Sequence, residues 1–149
     1  MDIKIDRFTT FFSCSSSPKA WFDQCCLDKT DVSIKKSFAS LPINIALCEK
    51  LLVVLSPTYL DRLWCVWELQ TVFSFDIREL SIDRIALLPI GDLDALLEKV
   101  DTWTLDSAHC FDPNEELKMR RIAYAIGENK FTEAVRALRE CRVWSEKVA

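Results

Sequence analysis

The carboxylate of Glu68 lies in the most apolar part of the sequence, LLVVLSPTYLDRLWCVWELQTVF at residues 51–73. Trp64 precedes it by four residues, so the two side chains share one face of a helix. An aromatic ring beside a desolvated acid can hold a flat cationic ring and stabilise positive charge that develops next to it. Alternatively, Glu68 points to the surface and pairs with a base such as Arg62, its stem covering apolar area. Residue types alone favour the second interpretation, because Trp–Glu pairs are common.

Other combinations of reactive residues give weaker signals. His109, the only histidine, is adjacent to Cys110, and neighbouring residues rarely face each other as a nucleophile and its base. Two glycines are too few for any glycine-rich phosphate loop. The cysteines form no pair of C-x-x-C motifs, so no zinc site is predicted. The aspartates at positions 23, 28 and 31 are typical of turn and helix caps, and we expect no metal.

Composition indicates one globular domain over residues 1–149. Half of the residues are hydrophobic and the net charge is -4, without any long basic block, so we expect no nucleic-acid partner. The seven cysteines are irregularly spaced and follow a charged N-terminus, which predicts reduced thiols in a cytoplasmic protein. No apolar stretch reaches the length of a membrane span, so no membrane partner is expected.

The order of apolar runs predicts a three-layer α/β domain with a mainly parallel sheet and helices on both faces. In the first third, strands are predicted within residues 3–12 and 19–24, and a helix within residues 32–50 that Pro42 kinks or breaks near Leu41. KLLVVLS at residues 50–56 is the clearest strand, predicted to be buried on both faces, and Ser56-Pro57 then opens a helix over about 58–75. The remaining predictions are a strand at 83–90, helices at 92–100, 113–126 and 131–144, and an edge strand at 101–106.

The segment KLLVVLSPTYLDRLWCVWEL resembles the third strand and following helix of TIR (Toll/interleukin-1 receptor-like) domains. In that family a hydrophobic strand ends in Ser-Pro-x-Tyr and a W-C-x-x-E-L helix follows. The upstream KAWFDQCCLDKTDVSIKKSFASLPINIALCEK is similar to the second strand, the BB loop and the next helix, especially in the TIR-like variants of protists and algae. The resemblance is strongest over residues 19–75, and over 76–149 it extends only to the order of elements.

The resemblance implies a flavodoxin-like fold and two alternative functions. One is a signalling module that self-associates with other TIR-like domains through the BB loop and neighbouring helices. The other is an NAD+ glycohydrolase, with NAD as substrate rather than cofactor. It implies Glu68 as the catalytic residue, with Trp64 and Tyr59 at the substrate. The implied interaction loop contains Cys25, Cys26, Leu27, Asp28, Lys29 and Thr30.

The first strand–helix unit of the family pattern is atypical or missing here. Only SSSPK separates DRFTTFFSC from the second predicted strand, and a parallel crossover needs a dozen or more residues. Either the first strand pairs antiparallel, or the chain is an N-terminally incomplete piece of a longer protein. A third functional alternative is therefore an incomplete domain without independent activity.

Overall fold

A computed structural model of the protein describes residues 42–144, which lie in the unit Leu41–Ala149. The strands and the interaction loop predicted before residue 41 therefore lie outside the described residues. The elements follow in the order α1 (residues 42–47), β1 (Leu51–Leu55), α2 (Leu63–Phe75), α3 (Arg78–Arg84), β2 (Ile85–Pro89), α4 (Leu93–Thr102), α5 (Pro113–Ile126), α6 (Glu128–Arg136) and β3 (Arg142–Val143).

The three strands of the described residues form one parallel sheet in the order β1-β2-β3. β1 and β2 pair along their whole length, from Leu51 opposite Ile85 to Leu55 opposite Pro89. β3 adds two pairs to β2, of which the second joins Leu87 and Val143. The predicted mixed α/β class with parallel strands is confirmed in this part of the chain.

Burial differs between the two longer strands. Ile85, Ala86 and Leu87 are buried in succession, so both faces of β2 are covered. In β1, Val53 and Leu55 are buried, but Val54 is 45% exposed. The prediction that β1 is buried on both faces is therefore wrong at Val54.

The helix predicted over 58–75 is interrupted at its start. A 3-10 turn covers Tyr59–Asp61, Arg62 is extended, and α2 begins only at Leu63. The cause lies far along the chain, since the Leu63 N–H donates to the His109 carbonyl at 3.0 Å and the His109 N–H donates to the Asp61 carbonyl at 2.8 Å. This bridge holds the backbone extended where the local sequence favours a helix.

Ser56 does not cap a helix as predicted. Its carbonyl accepts from the Tyr59 N–H at 3.0 Å, and its hydroxyl lies 3.4 Å from that of Thr58. The Ser-Pro pair thus starts a turn that leads into the short 3-10 segment. By contrast, the caps at Asp92 and Asp112 are as local sequence rules require, each side chain accepting from the N–H two residues later.

Near the end of the chain, one prediction is wrong and one is confirmed only over residues 131–136. The predicted edge strand at 101–106 is the end of α4 followed by a 3-10 turn at Leu105–Ser107. There the Trp103 indole N–H donates to the Leu60 carbonyl at 2.9 Å, which draws this segment inward. The last predicted helix begins earlier, at Glu128, and gives way to a 3-10 turn and then β3.

The core of the described unit forms around α2 and α6. Leu63, Val66, Leu69 and Val72 of α2 are fully buried, and Phe131 of α6 is the largest side chain without exposure. At about 25 cal/mol per Å² of apolar surface, such positions dominate the stabilisation of the unit. None of the described helices is long and apolar enough to cross a membrane.

Candidate functional site

Glu68 and Trp64 lie one turn apart on the face of α2 that is least covered. Both are half-buried, as is Trp67, while Leu63, Val66 and other residues on the remaining circumference are buried. The helical spacing predicted for the Trp64–Glu68 pair is therefore confirmed. The acid is half-buried, one helical turn from Trp64, and not on a fully exposed face.

The two indoles of α2 meet edge to face. The ring centroids of Trp64 and Trp67 are 6.0 Å apart at an interplanar angle of 74°, a favoured arrangement for aromatic pairs. The Trp64 indole N–H also donates to the Glu115 carboxylate of α5 at 3.4 Å. A neighbouring ring and a carboxylate on another helix thus both bear on the orientation of the Trp64 indole.

Tyr59 lies close enough to Glu68 for the two to interact electrostatically. Burial raises the pKa of the Tyr59 phenol well above its usual value, and negative charge on Cys65 and on Glu68 raises this pKa further. The phenol donates a hydrogen bond to the Cys65 carbonyl at 3.3 Å. The phenol therefore stays neutral near the acid.

The start of α2 is positioned by a polar cluster on α5 that the sequence analysis did not single out. The Glu116 carboxylate accepts from the Arg120 Nε–H at 2.9 Å and from the Cys110 N–H at 3.0 Å. The Arg120 guanidinium also donates to the Leu105 and Ala108 carbonyls. We call Glu116 and Arg120 the α5 clamp. Their four-residue spacing is the one sequence signal for it.

The α5 clamp shifts the titration of its own carboxylate. The Cys110 N–H and the Arg120 guanidinium lower the pKa of Glu116 to about 2, and a contact at 3.2 Å with His109 Nδ1 adds to this. Because the clamp fixes residues 105–110, it also fixes the His109 bridge that sets where α2 begins. The arrangement stabilises structure and carries no nucleophile.

His109 and Cys110 do not form a nucleophilic pair. The His109 ring faces Glu116, while the Cys110 thiol lies 3.6 Å from the Met119 sulfur. Burial and the nearby Glu116 and Glu115 carboxylates raise the pKa of the Cys110 thiol to about 11, so almost no thiolate forms near neutral pH.

Two surface grooves in the described part of the chain, with cavity volumes of about 350 and 380 Å³, are lined by residues other than Glu68, Trp64 and Tyr59. Within residues 42–144, no three His, Cys, Asp or Glu side chains cluster in a way that could hold a metal ion. The four described cysteines, at positions 48, 65, 110 and 141, form no disulfide with one another.

No protein-family model, curated protein or solved structure matches this chain. Functional proposals therefore rest on the residue pattern and on the geometry described above.

Proposed function

We propose that the chain is a TIR-like module that acts by self-association with further copies of itself. The supporting observation is the surface of α5, where Leu117 and Tyr124 are 52% and 55% exposed. Their seven-residue spacing aligns them on one face. Ile122, on another side of the same helix, and Phe111, which precedes the helix, are exposed as well. Exposed apolar side chains aligned on one helix face, as Leu117 and Tyr124 are, are typical of protein–protein contact surfaces.

The strand order is compatible with the flavodoxin-like fold that this proposal requires. In a 2-1-3-4-5 sheet the last three strands are sequential and parallel, as are β1, β2 and β3 here. The segment Ser-Pro-x-Tyr follows the first of these strands, at Ser56–Tyr59, and α2 carries the W-C-x-x-E-L pattern. Pattern and strand order thus agree over the same part of the chain.

Light scattering at increasing protein concentration tests self-association. The parent protein should increase in average mass, and Leu117→Asp or Tyr124→Asp should suppress the increase, because each puts a charge into the apolar contact. Ala95→Asp, at an exposed position of α4, is the matched control. A parent that stays monomeric at all concentrations would overturn the proposal. Association unchanged by both α5 variants would remove α5 as its surface.

A second candidate function is NAD+ glycohydrolase activity through Glu68. It is favoured by the half-buried acid with an indole one turn away and a neutral phenol within electrostatic reach. The Glu68 carboxylate would stabilise the ribose cation that forms as the C1′–N bond to nicotinamide breaks. Water then adds its oxygen to C1′ and releases a proton to solvent, giving nicotinamide and ADP-ribose. Trp64 would contact the nicotinamide ring.

Chromatographic measurement of nicotinamide release from NAD tests this candidate. Release by the parent should fall at least about 100-fold in Glu68→Gln, a loss typical of removing one stabilising group from the transition state. Glu79→Gln, an exposed glutamate of α3, should release nicotinamide at the parent rate. Absence of release by the concentrated parent protein would eliminate the enzyme and leave the self-association proposal intact.

A further inference from the structure

A groove with a cavity volume of about 380 Å³ lies on the side of α2 away from Glu68. Gln70, which lines it, is two residues from Glu68, and so about 160° from it around a helix of 3.6 residues per turn. The volume falls within the range of about 300–1,000 Å³ that is usual for small-molecule sites. We call it the Gln70 groove. It is lined by Gln70, Phe73, Ser74, Arg78, Ile126, Lys130, Glu133 and Ala134.

Gln70 contributes a buried side-chain amide, of which only one of the two polar atoms makes a hydrogen bond. The residue is 5% exposed, and its Nε2 donates to the Ser74 hydroxyl at 3.2 Å. Its Oε1 has no hydrogen-bond partner. Exchanging the oxygen and nitrogen of the amide would leave the nitrogen unpaired instead, and would put the oxygen beside a Ser74 hydroxyl whose single proton already goes to the backbone carbonyl of residue 70. In either orientation, one polar amide atom of Gln70 remains unsatisfied.

The unpaired amide atom is a cost that folding does not require. A buried polar group without a partner lowers stability by about 1–3 kcal/mol. A side chain of similar volume without polar atoms, such as methionine, would fill the same space in α2. The Ser74 hydroxyl would keep its bond to the backbone carbonyl of residue 70, at 3.1 Å. Gln70 lines the groove, but its Oε1 is covered, so a ligand that pairs with the amide would recover this cost by turning the side chain toward the groove.

The other groups at the groove differ in chemistry and come from four helices, α2, α3, α5 and α6. Phe73 and Ile126 are half-buried apolar side chains that can cover a flat ring. Arg78 and Lys130 supply positive charge, and Arg78 already holds a carboxylate, that of Glu140, at 2.5 Å. Glu133 supplies a carboxylate, a group that accepts hydrogen bonds from ribose hydroxyls in nucleotide sites.

We propose that the Gln70 groove binds a purine mononucleotide of the adenine type. Adenine presents an amino donor next to a ring-nitrogen acceptor, and a glutamine amide can pair with both. The base then lies against Phe73, the ribose faces Glu133, and the phosphate displaces Glu140 from Arg78. This site lies on the other side of α2 from Glu68 and does not depend on the proposed function.

Calorimetric titration of the full chain with AMP tests the site, with adenosine and inorganic phosphate as separate probes. AMP should bind saturably, more weakly as salt rises, and more tightly than either fragment. Gln70→Met should weaken AMP binding by roughly 5- to 100-fold, the effect of losing one bidentate amide–adenine pair. Lys130→Ala should weaken AMP but not adenosine. Lys118→Ala, an exposed lysine of α5 outside the groove, should match the parent.

Several results would overturn the proposal. One is the absence of saturable AMP binding up to about 5 mM AMP, because a dissociation constant above that concentration is too weak for a nucleotide site. Another is phosphate binding as tight as that of AMP, which would indicate an anion contact without base recognition. Unchanged AMP affinity in Gln70→Met would also overturn it. The thermal midpoint of Gln70→Met, which should equal or exceed that of the parent, excludes loss of folding as the cause of weaker binding.

Discussion

The α5 clamp and the Gln70 groove use polar side chains in opposite ways. Both oxygens of the Glu116 carboxylate have partners, one with Arg120 and His109 and the other with the Cys110 N–H. The Gln70 amide is more deeply buried, yet one of its atoms has none. Polar groups whose hydrogen bonds are all made fix a unique structure. A buried polar group that lacks a partner is therefore a candidate for ligand binding. Glu116 and Arg120 thus stabilise the fold, whereas the Gln70 amide is a polar group that the fold does not need.

Removing the clamp cation should have the largest effect. Arg120→Met removes the guanidinium that donates hydrogen bonds to the Glu116 carboxylate and to the Ala108 carbonyl. We expect the free energy of unfolding in urea to fall by about 1–3 kcal/mol, because half-buried acceptors lose their charged hydrogen-bond donor. Arg121→Met, at the exposed neighbouring position, should stay within about 0.5 kcal/mol of the parent. Equal losses in both variants would mean that the clamp adds nothing specific.

Acid should weaken the same clamp. The pKa of Glu116 is about 2, below the ordinary value of 4.5. A carboxyl with a lowered folded-state pKa stabilises the fold above its unfolded pKa, and this contribution disappears as pH falls from about 4.5 to about 2. Urea unfolding at several pH values should therefore show a shallower loss of stability in Glu116→Gln than in the parent over this window. Parallel curves would contradict the pKa assigned to Glu116.

Replacing the amide in the Gln70 groove should have a smaller effect of opposite sign. Gln70→Met removes an unpaired polar atom and keeps the volume, so the free energy of unfolding should stay equal or rise by about 1 kcal/mol. Ser74→Ala is the matched variant, because it takes away the one side-chain partner of the amide, and it should not stabilise. A clear loss of stability in Gln70→Met would mean that the amide is part of the core.

Much of this architecture follows from local sequence. The β1 strand comes from an uninterrupted apolar run, and the ends of α5 follow from Asp112-Pro113 at the start and Gly127 at the finish, where φ is 113°. A positive φ favours glycine, and a Cβ there would lie 2.9 Å from the Asn129 side chain. The Trp64–Glu68 pair is likewise a consequence of helical spacing.

The errors come from contacts between distant residues. Arg62 is extended because residues on either side of it bond to His109, 47 positions away, and no local pattern contains that information. The two residues of β3 form a strand only through their pairing with β2. The sequence does not indicate a role for Gln70, because glutamine is common in helices. Only its burial and its unpaired amide atom distinguish it.

The smallest expected effect concerns Glu115, which joins the two helices through the Trp64 indole. Glu115→Gln keeps an acceptor for the indole N–H, whereas Glu115→Leu removes it. In protein labelled with 5-fluorotryptophan, the Trp64 fluorine resonance, assigned by its loss in Trp64→Phe, should move more in Glu115→Leu than in Glu115→Gln. Stability should change by less than about 1 kcal/mol, since a bond of 3.4 Å to a half-buried residue is weak.

Glu128→Leu, at a first-turn glutamate of α6, is the control and should leave the Trp64 resonance in place. An unmoved resonance in both Glu115 variants would show that the Glu115 carboxylate does not orient the Trp64 ring.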